Sequence, residues 1–408
     1  MAISDIDRLA PVQPGQPAGS VTRWRALLAL TAVAAATAVF LAYGSAFVGA
    51  DFEVYYGGTS TMLAGLPLYD FATLTTDMPF TYPPFAALFF SPLTLLPEPL
   101  AAATWALISV LAMQATIWLL LRKLGVRDPV RRVRLTALTG LAMLPLAPVA
   151  FGLWVGQINL LLLLLVIFDV VRGGGRFRGV ALGVACGLKL IPLIFVVYLL
   201  LTRQVRAART AALTFATTIL IGLALLPGDS VRYWFGTMTD VDRIAPVGSD
   251  PYNSSILGTL NRLPSSHTPA IWLALAVVVG TAGLALSIWA SRRGHQLAGI
   301  VACGVTGVLI SPISWLYHWV WCIPLLMLLA TRAWRRDLTA AKVGVFAIWL
   351  AFAASFYWMV PQFLGQPVPD SMTLLFANLY VPLGIGILAT LAVRLRRESR
   401  RSSLAADL

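Results

Sequence analysis

Residues 178–202 read RGVALGVACGLKLIPLIFVVYLLLT, and the way this stretch is folded decides how the rest of the chain is placed. It is long and apolar enough for a bilayer crossing, which takes about 20 residues. Yet Arg178 opens it and Arg203 follows it, so both ends belong on one side of the membrane. The interruption that lets it turn back is visible as Gly187, Lys189 and Pro192. Proline removes a helix donor and disfavours helix in the residue before it, so two short helices are predicted to meet near Lys189. Lys189 is the only lysine in the interior of an apolar stretch, Lys342 standing at the edge of its run. An unpaired ammonium there costs about 3 kcal/mol, so a partner or an anionic ligand is expected at its head.

The same solvent argument extends to the whole chain. Of 408 residues, 59% are hydrophobic and only 12% charged, against about a quarter charged in soluble domains. That much apolar surface needs lipid around it. The net charge of +13 does not indicate nucleic acid, because the basic residues fall in short clusters between apolar runs, as in cytoplasmic loops. Cys186, Cys303 and Cys322 lie in separate apolar stretches with no CxxC or Cys/His cluster, which favours buried small hydrophobes over a disulfide framework or zinc site. No Walker, HExxH or GxSxG pattern stands in a usable context. The first apolar run follows Arg23 and Arg25; it exceeds the usual signal-peptide core and is read as an uncleaved span.

Charge parity gives a topology. The apolar runs at 25–47, 100–121, 134–151, 157–171, 178–202, 207–226, 269–290, 297–311, 315–331, 341–360 and 372–393 alternate with basic clusters. Counting the broken run as two, the expectation is an all-α polytopic membrane protein of about 12 transmembrane helices with both termini cytoplasmic. Residues 1–24 form an inner tail, 25–393 the membrane domain and 394–408 a basic inner tail. The outer segments are 49–99, 152–156, 227–268, 312–314 and 361–371. The proline-punctuated stretch 83–96 (PPFAALFFSPLTLL) is too short for a span and is expected to be re-entrant or to lie along the outer surface.

The two long outer segments carry most acidic residues outside the termini. Asp51 and Glu53, in GADFEVYYGG, follow the first span directly. Spaced by two, they point apart whether the segment is extended or helical, so they do not form a carboxylate pair. Asp51 lies nearest the bilayer, where an ionisable group is costly and usually functional. His318, in SPISWLYHWVW, stands among interfacial aromatics and can donate to a phosphate. Gln157 and Asn159, in GLWVGQINLL, open an inward-going helix as polar-ligand or capping groups. Asn253, Asn261 and Arg262, in PYNSSILGTLNRL, are further polar candidates in the second long loop. Asp169, near the inner end of its run, is read as structural, able to snorkel.

Taken in order, ADFEVYYGG, GLPLYD, FTYPPFAALFFSPLTLLP, GQINLLLLLL, GLKLIPLIFVVYLLLTRQ, NSSILGTLNRL and SPISWLYHWVW resemble the polyprenyl-phosphate-mannose-dependent mannosyltransferases of actinobacteria, over about residues 45–331. The nearest likeness is to enzymes adding an α-1,2-linked mannose to phosphatidylinositol mannosides. The resemblance implies a GT-C membrane fold, a site facing the periplasm across the inner membrane, Asp51 as catalytic base, and Lys189 and His318 as holders of the donor phosphate. It brings Glu53, Tyr82, Gln157, Asn159, Asn253, Asn261, Arg262, Trp315 and Tyr317 in as substrate-binding candidates. The donor is expected to be a polyprenyl-phosphate sugar, the acceptor a glycolipid, with no nucleic acid and no cofactor. Many GT-C enzymes carry a DxD-like pair in the first outer loop; here the string is DFE, so no required metal is expected. The rival readings are a polyprenyl-phosphate-arabinose-dependent arabinofuranosyltransferase and, from a different class, a lipid-linked sugar flippase, which is expected to show internal repeats.

Overall fold

The computed structural model is all-α, with only isolated bridges in place of strands among the described residues, which are 18–43, 48–74, 76–171, 174–240, 243, 252–263, 269–363 and 370–404. Most of the inner N-terminal tail, Arg172 of the third basic cluster and parts of the 227–268 and 361–371 outer segments lie outside them. Among the described residues six helices are long and apolar enough to cross a membrane: Thr22–Ala42, Glu98–Lys123, Val205–Leu225, Pro269–Arg292, Leu316–Arg335 and Leu374–Glu398. Shorter apolar helices, among them Asn159–Val171 and Gln296–Ile310, fill the bundle between them. The chain is an integral membrane protein.

Two runs depart from simple spans. The 178–202 stretch divides into Val180–Leu188 and Leu193–Leu201, with Lys189 in extended conformation at φ −156°, ψ 136° between them. The break falls where Gly187 and Pro192 place it. By contrast, the 134–151 run, counted as one span from the sequence, is bent by 80° between Pro129–Met143 and Ala147–Val155. The physical cause is Pro145 and Pro148, which withhold two amide donors within one turn. The last run is interrupted at Leu379, between Asp370–Asn378 and Tyr380–Leu404.

Inside lipid no hydrophobic force draws helices together, so close approach depends on small residues. Gly179, Gly183 and Gly187 form a stripe at intervals of four along Val180–Leu188 and its entry turn. A Cβ there would lie 2.3 Å from Ala207 O, 2.5 Å from Ala211 O and 2.3 Å from Thr218 Oγ1, all on the Val205–Leu225 helix. This contact holds the broken run in place and so sets the position of Lys189. At its Arg178 end Asp169 is buried, and its carboxylate accepts from Leu182 N at 2.7 Å. It therefore caps a helix start and does not snorkel.

The stretch 83–96 forms a short helix, Pro84–Phe90, continued by a 3-10 turn, Ser91–Leu95. The segments 49–99 and 227–268, expected on the outer side, interlock beside it. Asp229 accepts from Leu68 N at 3.0 Å, Arg232 pairs with Asp70 at 2.6 Å, and Tyr69 stacks on Tyr233.

Candidate active site

Asp51 stands in the first turn of the Ala50–Leu63 helix, whose start is set by Gly49 in the left-handed region at φ 80°. A helix N-terminus favours a carboxylate. That helix is pinned to a second turn at Gly156, itself left-handed at φ 81°, by a bond from Gly49 N to Trp154 O of 2.8 Å. A Cβ on Gly156 would come 2.6 Å from the Phe52 Cβ, so only glycine permits this approach. Trp105 Nε1 donates to Gly156 O at 2.8 Å and closes the junction. The next residue, Gln157, is thereby delivered to Asp51.

Gln157 is the hub of the cluster. Its Oε1 accepts from Tyr55 OH at 3.0 Å and from Lys189 Nζ at 3.3 Å. Its Nε2 donates to Tyr82 OH at 3.3 Å. Two donors on the carbonyl end fix the amide's orientation, leaving its N–H groups for acceptors. The amide and the Tyr317 hydroxyl both interact with the Asp51 carboxylate, and Lys189 acts on it through space. Lys189 Nζ also lies 3.5 Å from Asn159 Oδ1, 5.3 Å from the centre of the Tyr82 ring and 5.9 Å from that of Tyr317. Its cost in an apolar setting is met by two amide oxygens and two aromatic faces, with Asp51 as counter-charge.

Burial pushes the Asp51 carboxyl up to about 6, while Gln157, Lys189 and Tyr317 hold it from rising further. At pH 7 the ionised form still dominates, which suits a general base. Asn159 Nδ2 donates to Tyr317 O at 3.2 Å, and Tyr317 stacks on Phe151. His318, on the 3-10 turn Leu316–Trp321, is buried, and neither ring nitrogen has a hydrogen bond of normal geometry. Lys189 also acts electrostatically on His318.

Other candidates fall elsewhere. Glu53 turns away from Asp51 toward Tyr43, whose hydroxyl donates to Glu98 at 2.6 Å. Asn253 is spent on backbone: it donates to Pro312 O at 2.9 Å and accepts from Ser314 N at 3.0 Å, and its residue bridges to Trp315. Arg262 donates to Asn253 O, Ala377 O and Asn378 Oδ1 at 2.8, 2.8 and 3.0 Å. Asn253 thus holds the 312–318 segment, and Arg262 holds Asn253. Asn261 is exposed at the end of the Ile256–Asn261 helix. Tyr55 is a site residue that the sequence reading passed over. It stands four residues after Asp51, on the same face once the segment is helical. Among the described residues no group of three or more His, Cys, Asp or Glu side chains is placed to hold a metal ion.

A lipid-embedded helical bundle that converges a carboxylate, a lysine, two amides and three tyrosines on one buried polar site is a membrane protein built for chemistry on a polar group. The chain belongs to glycosyltransferase family 87, a GT-C family, whose pattern matches residues 80–312. That match includes Tyr82, Gln157, Asn159 and Lys189. The chain is also similar to the polyprenol-phosphate-mannose-dependent alpha-(1-2)-phosphatidylinositol mannoside mannosyltransferase of Mycobacterium tuberculosis, 33% identical over 344 residues and 79% of each chain. The enzyme of the same description in Mycolicibacterium smegmatis is 34% identical over 334 residues, covering 73% of this chain and 74% of its own. A pentamannoside mannosyltransferase of M. tuberculosis is 34% identical over 359 residues, covering 86% of this chain and 80% of the relative. No solved structure matches the chain. Family membership makes it a glycosyltransferase and sets aside the flippase reading.

Proposed function

We propose that this glycosyltransferase moves mannose from polyprenyl-phosphate mannose to a phosphatidylinositol mannoside or lipomannan-type acceptor, forming an α-1,2 linkage with inversion. The observation that carries the reading is the Asp51 carboxylate set against Lys189 across the Gln157 amide. Asp51 takes the proton of the acceptor hydroxyl as that oxygen bonds to the anomeric carbon. The bond from that carbon to the phosphate oxygen breaks, and the lipid phosphate leaves with the electron pair. Lys189 supplies the fixed positive charge that receives it, and a His318 ring N–H adds a donor. One displacement turns a β-donor into an α-product. The balance closes without ATP, redox cofactor or metal. In this reading the cavity faces the periplasm, both termini are cytoplasmic, and Tyr82 and Tyr317 form aromatic walls for the sugar. Mannose is favoured over arabinofuranose because the relatives' descriptions specify a mannose donor.

The test is direct. Purified protein is incubated with synthetic polyprenyl-phosphate mannose and a phosphatidylinositol mannoside, and product is compared for wild type and Asp51→Asn. Removing a general base is expected to cost ~10²–10⁴-fold in turnover. No transfer by wild type refutes the donor assignment. Near-normal turnover by Asp51→Asn refutes the role of Asp51 and leaves the family intact.

A further inference from the structure

A cavity of about 360 Å³ runs along the Tyr380–Leu404 helix from Pro382 to Arg394, between it and the Cys322–Arg335 and Thr339–Phe363 helices. Its Arg394 end is the one away from Asp51, as the course of the Tyr380–Leu404 helix shows. Its first residue packs on Trp319 beside the site, whereas Arg394 at the cavity lies 14 residues, roughly 21 Å, further along. The volume is within the range of ligand sites, about 300–1,000 Å³. Ile348, Leu383 and Ile387 are among its apolar walls. Two wall positions are glycines, Gly344 and Gly386, and a Cβ on either would meet nothing within 4 Å. Glycine is unfavourable inside a helix, and here no neighbour demands it. The room it leaves opens into the cavity.

The mouth is basic. Arg394 lines it, and Arg332, one turn beyond the lining residue Leu329, is close enough to Arg394 and Arg336 to be repelled by both. Glu398 is the counter-charge of this group, and its carboxylate is already shared by Arg336 at 3.2 Å and His295 at 3.3 Å. Among the described residues the side chains of Arg332 and Arg394 make no hydrogen bond or close ion pair, although both are half-buried. Three guanidinium groups around one shared carboxylate leave an excess of positive charge beside an apolar slot.

We propose that this cavity binds an anionic glycerophospholipid, with an acyl chain in the slot past Gly344 and Gly386 and the phosphate between Arg394 and Arg332. A free anion would satisfy the arginines without needing the slot. A zwitterionic lipid would fill the slot without relieving the charge. Basic pockets between membrane helices are suited to acidic head groups for this reason. The inference does not depend on the sugar donor or on Asp51.

The protein is purified in detergent, and thermal unfolding and native mass spectrometry are measured with phosphatidylglycerol, phosphatidylcholine of the same chains, or inorganic phosphate. The expected result is that phosphatidylglycerol raises the melting temperature and remains bound, and the other two do not. Arg394→Gln and Arg332→Gln are each expected to weaken its retention ~5-fold. Gly344→Leu, which fills the slot, abolishes the effect. Equal stabilisation by phosphatidylcholine, reproduction by phosphate alone, or unchanged retention in Arg394→Gln overturns the proposal. If an arginine variant does not fold, the head-group comparison on wild type decides by itself.

Discussion

Replacing Gln157 by leucine removes the amide that stands between Lys189 and Asp51 while keeping most of the side-chain volume. Wild-type Asp51 titrates near 6 because burial raises it and Gln157, first among the opposing groups, lowers it. A hydrogen bond to a charged group contributes ~1.5–3 kcal/mol. At 1.36 kcal/mol per pKa unit, its loss moves the carboxyl up by about 1–2 units. The ionised fraction at pH 7 then drops from about nine-tenths to between about one-half and one-tenth. The base is active when deprotonated, so the loss is largest at low pH and vanishes as pH rises through the new value. The assay is the pH profile of kcat/KM for mannosyl transfer from a synthetic lipid donor. Its acid limb should move to higher pH by ~1–2 units, with activity recovering above pH 9. A merely structural defect would lower the profile uniformly. An acid limb that stays in place with a uniformly depressed rate refutes the coupling of Gln157 to Asp51.

Two further perturbations follow from contacts in the same region. Lys189→Met removes the ammonium that donates to Gln157 and Asn159. Loss of a charged contact of ~1.5–3 kcal/mol lowers kcat/KM for the donor by ~10–150-fold, whereas an unchanged value shows the lysine to be structural. Gly183→Leu drives a side chain into Ala211 O and Thr214 Cβ, each 2.5 Å from the position of its Cβ. Overpacking of ~1–3 kcal/mol should lower the melting temperature in detergent; an unaltered transition means that the glycine stripe is not a packing contact.

Much of the architecture could be read before any coordinates, for definite reasons. Lys189 sits between Gly187 and Pro192, and backbone chemistry at those two residues locates the break. Asp51 was singled out by its cost near the bilayer. The bend after Met143 carried an equally clear signal in Pro145 and Pro148, but hydropathy alone runs smoothly across it. Tyr55 was hidden for another reason. Its place beside Asp51 exists only if GADFEVYYGG is helical, and two residues of spacing between Asp51 and Glu53 could not choose between helix and strand. Asn253 and Arg262 look like ligand groups in sequence because polar residues in an outer loop are alike until their partners are known. Their partners are carbonyl oxygens of Pro312, Asn253 and Ala377. Such long-range pairing leaves no local trace.

The junction at Gly156 has a mechanical consequence. The bond from Gly49 N to Trp154 O and the clamp of Trp105 on Gly156 O tie the segment bearing Asp51 to the segment bearing Gln157. A displacement of one segment carries the other, so carboxylate and amide move together, as two jaws cut from one block. Their spacing, and with it the readiness of the base, is insulated from whatever enters. The 312–318 segment is tied separately: it is bridged to Asn253 through backbone at Trp315 and through that side chain to Pro312 O and Ser314 N, and Arg262 anchors Asn253 O in turn.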